Sequence, residues 1–168
     1  MEPLEIRKLS GTYAVRILQP DDAEMIYAFC KRNTQYYEYC GKDISIELIE
    51  HDMRLAPPGI PSEQKYYMGF FENATLVAVM DLVAGYPDRR CAFIGFFMMN
   101  AALQGMGTGS SIITEALDHL KHYGFARCML GIDKDNPQSN HFWRKNGFEV
   151  VREVIQDEGT VLVAERQL

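Results

Sequence analysis

The chain has no apolar stretch long enough to cross a membrane as a helix. Its longest run, Cys91 to Met99, falls far short of the roughly 20 residues that a span requires. Blocks of like charge are missing too. Seventeen basic against 23 acidic side chains leave a net charge of −6 with no basic cluster. That argues against nucleic acid as a main partner, because affinity for a phosphate backbone needs concentrated positive charge. An acidic protein suits a cationic substrate better. The four cysteines, Cys30, Cys40, Cys91 and Cys128, include no C-x-x-C pair, so neither a disulfide framework nor a zinc site is expected. His119 and His122 stand three apart with no carboxylate or cysteine to complete a ligand set, and no metal is expected there. The first ten residues carry acidic side chains and no sustained apolar core. They do not read as a secretory leader, and a reducing cytoplasm is the expected setting.

What the chain does have is an ordinary globular balance, 47% hydrophobic and 24% charged. Its 168 residues, free of repeats and linkers, predict a single domain over 1–168. The most informative stretch follows the apolar run. Three glycines at alternate positions, Gly105, Gly107 and Gly109, separate a strand-like segment from Ser111 to Leu120, where Ile112, Ile113, Ala116, Leu117 and Leu120 recur at helical spacing. Strand, glycine turn and helix start together suit an anion. Residues without a Cβ let backbone N–H groups approach a phosphate, and the helix N-terminus adds unpaired donors and a favourable dipole.

The remainder reads as a mixed α and β chain. Tyr13 to Leu18 predicts a short strand, and Pro20 opens a helix in which Asp21 and Glu24 have capping-box spacing. Asn33 to Cys40 sets three tyrosines, Tyr36, Tyr37 and Tyr39, around Glu38; such rings with an acid can wall a cation pocket or pack at a helix end. A second helix is predicted over 44–55, stopped by Pro57-Pro58-Gly59. Strands over 65–71, 75–84 and 91–99 follow on short turns and predict an antiparallel meander. Asp81 interrupts the second of them. A carboxylate there either meets solvent, a cation or backbone donors, or is buried with a raised pKa suited to a general base. The helix after the glycines ends at Gly124, and Ala126 to Ile132 predicts a strand parallel to the one before it. Asn136 and Pro137 open a further helix that Gly147 closes, and a hairpin around Asp157-Glu158-Gly159 ends the chain.

Two segments together resemble the GNAT N-acetyltransferases. Gln104-Gly-Met-Gly-Thr-Gly109 is similar to their Gln/Arg-x-x-Gly-x-Gly/Ala loop, and Asn136-Pro-Gln-Ser139 with Phe142-Trp-Arg-Lys-Asn-Gly-Phe148 resembles their second motif. The resemblance covers the chain from Tyr13 onward. It implies an α+β fold: a three-layer α/β/α arrangement around a mostly antiparallel mixed sheet, splayed between the fourth and fifth strands, with acetyl-CoA in the splay. It further implies that Gln104, Gly105, Met106, Gly107, Thr108, Gly109 and Ser110 hold the CoA pyrophosphate through their backbone. Phe97 and Met99 would pair with pantetheine as an added strand. Asn136 would lie beside the pantetheine arm, where capping explains it equally well, and Phe142 and Trp143 would line the cleft.

The implied activity is transfer of an acetyl group from acetyl-CoA to a small-molecule or peptide primary amine by direct attack in a ternary complex. Two departures stand out. Many members carry tyrosine where this chain has Trp143, and indole does not titrate usefully. Some carry a glutamate base on the strand over 93–99, where this chain has none. Asp81 and Glu38 are the candidates for base or amine-binding acid, with Tyr36, Tyr37 and Tyr39 as candidate donors or pocket walls. One rival is a dinucleotide turn, which Gly105-x-Gly107-x-x-Ser110 nearly fits and Asp133 would complete; Ser110 in place of the third glycine and the short tail count against it. A nucleotide-binding Walker loop fails for want of a Lys-Ser/Thr after the glycines. The non-enzyme alternative is a regulatory domain that keeps the CoA cleft for binding alone. The sequence leaves oligomeric state open, a homodimer included.

Overall fold

The computed structural model describes residues 3–41 and 43–168. Seven strands form one sheet: β1 (Ala14–Ile17), β2 (Lys65–Glu72), β3 (Thr75–Ala84), β4 (Cys91–Met99), β5 (Arg127–Asp133), β6 (Glu149–Gln156) and β7 (Gly159–Gln167). Their spatial order is β1-β2-β3-β4-β5-β7-β6, and every neighbouring pair is antiparallel except β4 with β5. This is the mixed, mostly antiparallel sheet that was expected. The last hairpin folds back so that β7 lies against β5 and β6 becomes the edge.

Helices cover both faces. On one side α4 (Thr108–Tyr123) buries Ile112, Ile113, Ala116, Leu117 and Leu120 against Met68, Phe70, Met80 and Leu82, with Trp143 of α5 (Pro137–Lys145) in the same core. On the other, α1 (Ala23–Lys31) and α3 (Ile46–Arg54) place Ile26, Phe29, Cys30 and Ile49 over Tyr67, Phe71, Val79 and Met98. Strands covered on both faces read as continuous apolar runs rather than as an alternation, which is why β2 and β3 are almost wholly buried.

Local differences from expectation have local causes. Between α1 and α3 lies a further helix, α2 (Thr34–Cys40), in the tyrosine-rich stretch. Its separation from α1 is held by Asn33, whose Nδ2 donates to Phe29 O and Met99 O at 3.3 Å each. The second of those bonds reaches a strand 66 residues away, so periodicity carried no sign of it. The capping box near Pro20 forms between Gln19 and Asp22, not Asp21 and Glu24. Arg16 grips both oxygens of Asp22 at 2.8 Å and aims that carboxylate at the Gln19 N–H. Cys30, Cys91 and Cys128 are free and buried; the side chain of Cys40 lies outside the described residues. Among the described residues no group of three or more His, Cys, Asp and Glu could hold a metal, and no helix is long and apolar enough to cross a membrane.

Candidate active site

The sheet opens where β4 and β5 part. They pair from Cys91↔Arg127 to Ile94↔Leu130 and no further, so Phe97 and Met99 lie on a stretch of β4 bonded only to β3. The gap is one wall of a cavity of about 540 Å³. Phe97, Met99, Gln104, Gly105, Gly107, Gly109, Ser110, Asn136, Phe142 and Trp143 all line it. Met106 is exposed and Thr108 half-buried, and neither side chain is part of the lining.

The glycines of the turn have two separate reasons. Gly105 and Gly107 have φ of 75° and 82°, left-handed backbone that other residues adopt only with strain. Gly109 sits in the first turn of α4, where an added Cβ would come within 3.2 Å of both Met99 and Phe142. Its lack of a side chain lets the helix start close against β4 and α5. No side chain caps α4, and its first turn holds no acid. The leading N–H groups of a 16-residue helix therefore open toward the cavity with the positive end of its dipole.

Polar links brace the rim. Gln104 Nε2 donates to Asn33 Oδ1 at 2.5 Å, and Gln138 Nε2 donates to Gln104 Oε1 at 3.3 Å. Buried Asn146 donates to Ser110 Oγ at 3.2 Å and to Phe142 O at 2.8 Å. Arg32 and Lys145 also line the cavity. These cations are far apart in a chain of net negative charge, so composition hid them. Asn136 is buried and caps α5, its Oδ1 accepting from the Ser139 N–H at 3.0 Å. Trp143, 6% exposed, is wedged among Phe97, Phe142 and Phe148 with ring centroids 6.0, 5.0 and 5.2 Å away.

A second cavity, also of about 540 Å³, lies under α1, α2 and α3. Tyr36, Tyr37, Tyr67, Tyr86, Phe93 and Phe96 supply its aromatic walls, and Asp81 and Asp52 its carboxylates. A bulge sets this arrangement. β3 and β4 shift register between Asp81↔Phe96 and Leu82↔Ile94, so Gly95 has no partner of its own. That extra residue reverses the alternation along β4. Ile94 then points into the α4 core, Phe96 into the second cavity and Phe97 into the first. Gly95 also makes room for the acid, since an added Cβ would stand 2.8 Å from Asp81 Oδ2.

Asp81 Oδ2 pairs with Lys65 Nζ at 2.7 Å, with the two side chains only 14% and 5% exposed. Its Oδ1 is buried and has no hydrogen-bond partner. Burial pushes the Asp81 carboxyl above the usual carboxylate range; Lys65 pulls it back only in part, and Asp52 adds to the rise. Glu38 is exposed on α2 and lines neither cavity. Asp133 ends β5, its Oδ1 accepting from the Asp135 N–H at 3.0 Å.

A mixed sheet splayed at its parallel pair, with an uncapped helix start and glycine turn at the mouth of the splay, defines an acyl-CoA N-acyltransferase fold. The chain belongs to the acetyltransferase (GNAT) family, whose model matches residues 24–148, and it is an acetyl-CoA-dependent N-acetyltransferase. Solved structures share the fold. An acetyltransferase from Thermus thermophilus is 20% identical, with a TM-score of 0.76 over 94% of this chain and 97% of its own. An acetyltransferase from Salmonella typhimurium that modifies the N-terminal serine of a 50S ribosomal subunit protein is 20% identical, with a TM-score of 0.70 over 95% and 97%. The PaiA N-acetyltransferase from Thermoplasma acidophilum, solved in complex with coenzyme A, is 19% identical, with a TM-score of 0.65 over 93% and 99%. No curated protein matches the chain in sequence.

Proposed function

We propose that the first cavity takes acetyl-CoA and the second takes a primary amine, small molecule or peptide N-terminus, which attacks the thioester directly where the two meet. The observation that carries this reading is the pair of cavities on opposite faces of β4 at the splay, one with phosphate-binding features and one with a buried acid in aromatic walls. The N–H groups from Gly105 to Ser110 suit the pyrophosphate, Arg32 and Lys145 suit the remaining phosphate charge, and the open edge at Phe97 and Met99 suits the pantetheine amides.

Asp81 draws the ammonium into the second cavity and takes its proton. Its raised pKa favours that exchange, because a carboxylate in the ordinary range is too weak a base near neutral pH. The aromatic walls hold the cationic or apolar body of the acceptor. Attack on an already activated thioester then needs mainly alignment. Glu38, exposed and outside both cavities, is given no part in this reading.

The test is thermal unfolding with acetyl-CoA, NAD and ATP, followed by thiol release from acetyl-CoA with 2-phenylethylamine, spermidine and a serine-initiated peptide. Stabilisation by acetyl-CoA alone and release with at least one amine are expected. Stabilisation without release from any amine would favour a binding domain instead.

A further inference from the structure

Trp143 stands where the family resemblance implies a tyrosine that protonates the departing thiolate, and its indole does not titrate usefully. We propose that Tyr36 of α2 is the general acid that protonates the departing thiolate. This rests on the assignment of the two cavities to acetyl-CoA and amine.

Tyr36 is the one residue among those described that lines both cavities. Bond making and bond breaking must occur at their junction, so any group serving both partners has to stand there. Its ring is fixed edge-on against Phe96 at 5.7 Å and Tyr37 at 5.1 Å. Phe96 is in turn the β-ladder partner of Asp81. Phe96 thus touches Tyr36 and pairs with Asp81 across the ladder, and all three line the second cavity.

The other donors near the first cavity are poorer. Trp143 is packed among three rings, and its N–H does not titrate usefully. Arg32, Lys145 and His141 are exposed. Tyr37 and Tyr67 line only the second cavity, and burial raises both phenols well above the ordinary range. The start of α2 is tied to the first cavity as well. Asn33 bonds Met99 O on one side and accepts from Gln104 on the other, so the start of the helix carrying Tyr36 is fixed to the glycine turn.

The protons balance. Asp81 removes one proton from the ammonium and later returns it to solvent. The amine nitrogen forms the C–N bond as the C–S bond breaks, and the sulfur leaves with its electron pair and takes the Tyr36 phenolic proton. The phenolate recovers a proton from the nitrogen, which sheds its surplus one to become the amide.

Tyr36→Phe keeps the ring and removes the hydroxyl. It should lower kcat by about 10²–10⁴-fold, abolish the alkaline limb of the kcat–pH profile, and leave the melting temperature and the acetyl-CoA shift as in the wild type. Replacing Tyr36 with 3-fluorotyrosine, whose phenol is more acidic, should restore turnover and move the alkaline limb down. Wild-type turnover and pH profile in Tyr36→Phe would overturn the acid role while leaving the cavity assignment intact. Loss of the acetyl-CoA shift in Tyr36→Phe would also overturn it, marking Tyr36 as a binding residue. A wild-type protein that acetyl-CoA does not stabilise would instead refute the cavity assignment.

Discussion

Asp81 is a carboxylate that the fold pays to bury. One oxygen meets Lys65 and the other meets nothing. Its raised pKa means that the folded protein keeps a proton there which the unfolded chain has released. Stability should therefore fall as pH rises from the ordinary carboxylate value, about 4, through the raised one, and Asp81→Asn should remove that slope in urea titrations across this window. The same substitution should cut kcat/KM for the amine by about 10²–10⁴-fold and flatten its acidic limb, with the acetyl-CoA shift retained. Gly95→Ala tests the same site through packing. The new methyl would meet Asp81 Oδ2 at 2.8 Å and push the acid off Lys65. A loss of about 1–3 kcal/mol in stability and a fall in amine turnover are expected, read by denaturation and thiol release.

Among the elements, α2 and α4 divide the work. α4 is uncapped at its start, and Gly107 there has φ 82° with nothing near enough to clash with an added Cβ. Gly107→Ala therefore tests backbone strain alone. It should cost about 1–2 kcal/mol and weaken acetyl-CoA binding as the N–H groups turn away, both measurable by thermal shift and calorimetric titration. Further along α4, Glu115 clasps the N-terminal segment. It accepts from Ser10 Oγ at 2.5 Å, Gly11 N at 2.9 Å and Thr12 Oγ1 at 2.8 Å, while Leu4 and Leu9 are buried in the core beyond. Glu115→Ala should destabilise the protein by about 1–3 kcal/mol without changing turnover, since the clasp lies outside both cavities. The helix α2 is held by other means: Asn33 at its start, a hydrogen bond between Tyr37 and Cys30 of α1, and the tyrosine packing against Phe96.

At the scale of the molecule, the site exists because one sheet serves two helical layers and parts between β4 and β5. Acetyl-CoA at about 100 times its dissociation constant should stabilise the fold by about 2.7 kcal/mol; NAD and ATP should not. Most of the elements were legible beforehand because their causes are local. Apolar periodicity marked α1, α3 and α4, Pro and Gly marked their ends, and three apolar runs on short turns marked β2, β3 and β4. The glycine turn was legible for the same reason, since positive φ and close approach are demands on single residues. The second cavity was not. Whether Asp81 met solvent, a cation or backbone donors depended on Lys65 sixteen residues away and on a one-residue bulge at Gly95, which decides the face taken by Phe96 and Phe97. The placing of Tyr36 at the junction of the cavities, and of Glu38 outside them, likewise followed from how α2 docks. Local conformational preference is written in short stretches of residues; which side chains share a cavity is settled only when distant strands and helices close on one another.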